Sequence, residues 1–309
     1  MEQHDFFGFL ACKWDIKFDG GLVSPIVDCE KVKNWVSEYT NKDGFLYPPM
    51  QHTMKVDPST MEDLEEVPKT ERPALLHRIP ASHEIVIFDA PDNKETFRKG
   101  PGGFIIHLLA YLFGTRLQFY DSWFDGRVPI ESTHNIVVKK PIIEDFISHS
   151  YNTWLSWDEK AQTMFSNLLY MHSRSPSYEW DWERFTIEYM VFDCCWHLVE
   201  YLNMLELKNK YKHIKHRDRI KCVCDGLKIP YKQELIDDIV ELRNVLFHEA
   251  LWGNSNPCYS LPSSKSYELY DYHLRRLNKR IIPYLLGYYT PYINTGWHYL
   301  GRFIFDKPK

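Results

Sequence analysis

The chain has no CxxC pair, and its seven cysteines, at 12, 29, 194, 195, 222, 224 and 258, are scattered and odd in number. That pattern excludes a disulfide framework or a zinc-finger ligand set, and it reads as reduced thiols filling a core in the cytoplasm. Long apolar runs are also missing: stretches such as Phe104–Phe113 fall far short of a membrane span. The opening residues Met1–Asp5 lack the basic region and apolar run of a signal peptide, so a cytoplasmic protein without membrane attachment is expected. No sign of charge dominates. A net charge of −5 over 309 residues excludes a tight nucleic-acid binder that works through overall charge. The patterns GxSxG, HExxH and GxGxxG are missing as well. Gly100-Pro101-Gly102-Gly103 lacks the Lys-Ser/Thr ending of a P-loop and reads as a turn that starts a helix. No metal site and no cofactor are expected.

What is present is core material. At 44% hydrophobic and 26% charged, the composition is that of a globular chain, and the length suits two domains or one large domain with an appendage. Residues 1–140 read as a β-rich domain. Short extended runs at 84–88, 116–120 and 135–138 are bounded by Gly, Pro, Asn and Asp, and one helix over 103–113 is predicted to interrupt them. The acidic stretch 57–66 reads as an exposed loop, and Asp125-Gly126 as a turn. From residue 141 to 309 the pattern is helical. Segments are predicted near 142–155, 158–173, 179–207, 214–225, 232–252 and 266–289, and Pro283 is predicted to kink the last. The fold class expected is therefore α+β, a β-rich part followed by an all-α up-and-down bundle.

The sharpest feature is Arg243-Asn244-Val245-Leu246-Phe247-His248, near the end of a helix with an apolar stripe at Leu235, Ile239, Leu242 and Leu246 and with Gly253 placed to stop it. The helical neighbours of Arg243 are Ile239, Val240, Leu246 and Phe247. Those of His248 are Asn244, Val245, Leu251 and Trp252. Neither set holds a carboxylate, so the guanidinium and the imidazole must find partners on another helix, another chain or a ligand. Five residues span about 140° around the axis and roughly 7.5 Å along it. That offset predicts that one helix aims the pair poorly at a phosphate, and that two helices about a two-fold axis would do better.

This segment resembles the motif of HEPN domains: Arg, a polar residue that is often Asn, three more residues, then His. The looser spacing of Arg, four residues, His also occurs at Arg72/His77 and Arg78/His83, but without the Asn and with proline inside. The resemblance covers about residues 142–290. It implies a helical bundle that dimerises with the motif at the interface. It also implies a metal-independent endoribonuclease that leaves 2′,3′-cyclic phosphate and 5′-OH ends, with Arg243, Asn244 and His248 as catalytic residues. Gly103–Ile130 is more loosely similar to domains fused ahead of HEPN modules in bacterial anti-phage proteins of the ApeA type. That likeness implies a toxin or defence effector whose N-terminal domain senses a phage-derived or regulatory trigger. A noncatalytic HEPN-like dimerisation or nucleotide-binding module is the alternative, and a scaffold with a merely buried motif is a third.

Between Lys208 and Lys221 stand seven basic residues against the single acid Asp218. The stretch reads either as a solvated helix face or as a patch that tracks RNA phosphates through Lys212, Lys215, Arg217 and Arg219. Arg275, Arg276, Lys279 and Arg280 form a second basic cluster open to the same two readings. Asp193 and His197, four apart, are expected to share a helix face, as internal polar contacts rather than as a metal pair or a carboxylate-imidazole pair that orients a catalytic group. Glu188 is a candidate acid for Arg243.

Overall fold

The computed structural model describes residues 2–47, 54–56, 59–60, 63–66, 76–130, 136–204, 214–252, 270–299 and 301–308. The fold is α+β. Five strands form an antiparallel sheet in the spatial order Ile16–Phe18, Gly21–Pro25, His83–Ile87, Gln3–Gly8, Gln118–Phe119. The run expected at 84–88 is its central strand, where Ile85 and Ile87 alternate inward and are fully buried. The acidic stretch is not simply a loop. Asp63–Glu66 pairs with Met54–Val56, so cross-strand hydrogen bonds hold part of it.

Helix α1 (Cys29–Tyr39) and the short α2 (Lys94–Lys99) were not expected. The signal for α1 was there: Val32, Trp35, Val36 and Tyr39 follow the i, i+3, i+4, i+7 rule, with both valines buried. Helix α3 (Pro101–Phe113) starts at the expected glycine-rich turn, with Pro101 in its first turn and Gly114 ending it at φ 66°. Its glycines serve close packing on α2. A Cβ on Gly103 would lie 2.1 Å from the Arg98 carbonyl oxygen, and one on Gly102 2.5 Å from the Phe97 ring.

The later helices are α4 (Lys140–Leu155), α5 (Glu159–Arg174), α6 (Asp181–Tyr201), α7 (His216–Leu227), α8 (Gln233–Glu249) and α9 (Tyr270–Leu285). They match the expected segments to within a few residues where described. Helix α8 stops at Ala250, which takes the left-handed conformation at φ 56°, three residues before the expected Gly253. One hydrophobic core runs from the sheet (Phe7, Ile85) through α3 (Phe104, Leu109) to α5, α6 and α9 (Phe165, Phe192, Leu277). Each such side chain contributes roughly 1.5–3 kcal/mol by burial. A smaller core joins α1 to Phe9, Leu46, Phe124 and Val128. The chain returns at its end, where Phe303–Ile304 pairs in parallel with Ile136–Val137. Among the described residues no helix is long and apolar enough to cross a membrane.

The second basic cluster belongs to this core. Arg275, Arg276, Lys279 and Arg280 are all at least 94% buried, so it is neither a solvated face nor a patch open to phosphates. Arg275 reaches Glu188 at 2.7 Å. Arg280 donates to the carbonyls of Thr295 and Gly296 at 2.7 and 3.0 Å, and Arg276 donates to that of Gly301 at 3.3 Å. The returning C-terminal segment thus supplies acceptors that let Arg276 and Arg280 enter the interior, while Glu188 does so for Arg275.

Candidate functional site

The last two turns of α8 carry the motif. Ile236, Ile239 and Leu242 are buried and fix the helix against the bundle, while Leu235 and Leu246 lie at the shoulders of that stripe. Arg243 is therefore half-buried at the edge of the packed face, with Asn244 and His248 exposed beside it. Despite the 140° offset, one helix brings the pair together: Arg243 Nη1 lies 3.2 Å from His248 Nε2 and donates to Asn244 Oδ1 at 3.1 Å. The long arginine side chain folds along the helix and closes the gap, so a second chain is not needed for the two groups to meet. A guanidinium only donates, so in this contact Nε2 is the acceptor. The polar contact of Asn244 is to Arg243.

Aromatic surfaces support the guanidinium. Its carbon lies 5.0 Å from the centre of the Phe247 ring and 5.8 Å from that of Tyr189 on α6. This answers the lack of a nearby carboxylate, because a ring face attracts a cation without neutralising it. Glu188, the candidate acid, is fully buried elsewhere. It accepts from His172 Nδ1 at 3.0 Å and Asn278 Nδ2 at 2.9 Å, and it pairs with Arg275. Trp252 is buried against Phe185 rather than left for a partner chain, and its Nε1 donates to Asp181 at 2.9 Å.

The Tyr189 ring is a common floor, meeting the Phe247 ring at 6.4 Å and that of His216 at 5.8 Å. His216 begins α7, and the tight α7–α8 connection folds this end of α7 back against the motif. Asp193, one turn after Tyr189 on α6, accepts from Arg219 Nη1 at 3.1 Å and lies 3.6 Å from His216 Nδ1. The expected pairing of Asp193 with His197 does not form: His197 lies 3.6 Å from Glu200 on the surface. Burial and then the Arg243 charge push the His216 imidazole below its ordinary proton affinity, with Arg219 and His248 adding to this and Asp193 opposing it. Burial, and secondarily Asp193, keeps the Tyr189 phenol protonated. Tyr189 Oη, Arg219 Nε and Arg243 Nε are buried without hydrogen-bond partners among the described residues.

Tyr189 and His216 were not among the expected site residues, and Asp193 was weighed only as a partner of His197. Only their placement by three different helices joins them to the motif. Of the expected RNA-binding residues, Lys215 is exposed at the start of α7, and Arg217 is held 2.7 Å from Asp237 on α8. Arg219 turns into the site, and Lys212 lies outside the described residues. Among the described residues no group of three or more His, Cys, Asp or Glu side chains is arranged to hold a metal ion. No family model, curated protein or solved structure matches this chain.

Proposed function

We propose that the chain is a metal-independent endoribonuclease of the HEPN type. The observation that carries this reading is the contact between Arg243 and His248 at 3.2 Å on an exposed helix edge. A phosphate entering there would draw the guanidinium from a neutral ring nitrogen to an anion, where its fork binds more strongly. Arg243 then stabilises charge on the phosphorane, and His248 transfers a proton at the adjacent oxygen. Asn244 holds Arg243 in place. The ends left behind are a 2′,3′-cyclic phosphate and a 5′-OH. The proposed setting is a cytoplasmic toxin or anti-phage effector, with the part before residue 140 sensing or restraining the nuclease.

The test is purified protein with total RNA in EDTA. Cleavage should persist with chelator and fall about 10²- to 10⁴-fold in His248→Ala, the usual size of a lost proton-transfer group. Arg243→Ala should fall at least as far. Loss of cleavage in EDTA, restored by magnesium, would overturn the mechanism. Growth arrest that depends on His248 and appears only with a phage-derived or regulatory trigger would support the sensing role.

We further propose a homodimer through the helical part. It rests on Phe247 at 45% and Leu251 at 36% exposure, apolar groups beside the motif. Sedimentation at micromolar concentration should give twice the chain mass, and Phe247→Glu should give the monomer. A wild-type monomer would refute the dimer while leaving the nuclease reading standing, since Arg243 and His248 meet within one chain.

A further inference from the structure

Cleavage of RNA by its own 2′-hydroxyl requires two proton transfers on opposite sides of the phosphorus. A base takes the 2′ proton, and an acid gives one to the departing 5′ oxygen. His248 supplies one of these at a time. We propose, resting on the nuclease reading above, that His216 is the second proton-transfer group of the same site, oriented by Asp193, so that a single chain holds both.

Four observations support the assignment. The His216 ring shares the Tyr189 floor with Arg243 and Phe247, which places it beside the motif although it comes from another helix. Its Nδ1 is buried without a hydrogen-bond partner among the described residues and lies 3.6 Å from Asp193 Oδ1, so the carboxylate acts on the ring through its charge, and a small turn of the imidazole would close the bond. The side chain is 29% exposed, which leaves part of the ring open to a substrate although Nδ1 is buried. The groups that face it are Tyr189 and Asp193 from α6, Arg219 on its own helix, and Arg243 and His248 from α8. This surrounding is net positive and keeps the ring neutral near pH 7, the state a base needs.

The step balances without another reactant. His216 Nε2 takes the 2′-hydroxyl proton, the 2′ oxygen bonds to phosphorus, and the bond from phosphorus to the 5′ oxygen breaks. The 5′ oxygen leaves with a proton from the His248 imidazolium, and the charges on the two rings are exchanged through solvent. Arg243 holds the non-bridging oxygens throughout. Asp193 is a positioning residue.

The experiment compares single-turnover cleavage of a short RNA with that of the same RNA carrying sulfur in place of one 5′ oxygen. The sulfur leaves without a proton, so it bypasses the acid and not the base. His216→Gln is expected to lose about 10²- to 10⁴-fold on both substrates, and to lose the rise in rate toward neutral pH. His248→Ala should recover most of its rate on the sulfur substrate. Asp193→Asn provides a second measurement that does not remove the ring. Taking away the opposing negative charge should move the rising limb to lower pH, a change a merely structural contact would not produce. Wild-type rate in His216→Gln alongside an inactive His248→Ala would overturn this proposal alone. Rescue of His216→Gln by sulfur would overturn its role as the base. Absence of Arg243-dependent cleavage in the wild type would overturn both this proposal and the nuclease reading.

Discussion

A charged residue has the same name in a sequence whether it is solvated or buried, and Arg275 shows how little the name says. Its neighbours Arg276, Lys279 and Arg280 gave a basic cluster that the fold places inside the bundle. Arg275 is held there by Glu188, which lies 87 residues away and is itself fully buried. No helical spacing rule reaches that far. Burial opposes the ionisation of Glu188 most, yet His172, through its Nδ1–H donor, and then the Arg275 charge hold it ionised well below the usual carboxylate range. Removing one member of such a pair leaves the other charge buried without compensation, at about 3–5 kcal/mol. Glu188→Ala should therefore lower the unfolding free energy by that amount in urea titrations. Pairing it with Arg275→Met should recover most of the loss. A Glu188→Ala protein with wild-type stability would show that water relieves the arginine.

Helices with one apolar face were legible, because burial of that face both forms the helix and leaves its period in the sequence. Thus α4 to α8 were found near their true limits, whereas α1 was missed: its signal sits in a charged eleven-residue segment within a strand-rich region. The candidate site was legible only on α8. Arg243, Asn244 and His248 share one helix, but Tyr189, Asp193 and His216 join them through packing of α6 and α7. The expected weakness of the 140° offset failed because it counted Cα directions and ignored the reach of an arginine. The basic stretch is divided in a way that composition could not show. Arg219 is engaged at the site, Arg217 is held by Asp237, and Lys215 is exposed at the head of α7. If RNA passes that end of α7, Lys215→Gln should lower the salt slope of binding by about 0.7, the value for one single-strand phosphate. Arg217→Gln should lower it less, because Asp237 already partners that charge. Equal slopes for wild type and Lys215→Gln would return the stretch to a solvated face.

At the scale of the whole molecule, the continuous core makes buried histidines from both the sheet and the bundle report on one unfolding event. His83, in the central strand, is fully buried between Ser82 Oγ at 2.9 Å and the Cys12 carbonyl at 3.1 Å. Burial pushes it down to about 4 from an ordinary value of 6.5. His172, fully buried in α5, is pushed down in the same direction, by burial and then by Arg275. Both are neutral when folded and free to take a proton when unfolded. Their contribution is thus complete above pH 6.5 and is lost as the pH falls toward 4. Glu188 acts lower on the scale. Its depressed value makes its contribution present above the ordinary carboxylate range near 4.5 and lost as the pH drops toward about 2. The two losses follow one another, so stability should decline continuously from pH 6.5 downward rather than hold level to pH 5. For His83 alone the fall between 6.5 and 4 is about 3 kcal/mol at 1.36 kcal/mol per pH unit. Urea unfolding measured in half-unit steps should show close to one proton taken up near pH 5 by each of His83, His172 and His107, the last also pushed down to about 4 by burial. His83→Gln, which retains a donor for the Cys12 carbonyl, should reduce that uptake by about one. A stability curve flat between pH 6.5 and 4.5 would mean that the His83 and His172 rings are protonated without unfolding, and that the core admits water where the structure shows none of their surface exposed.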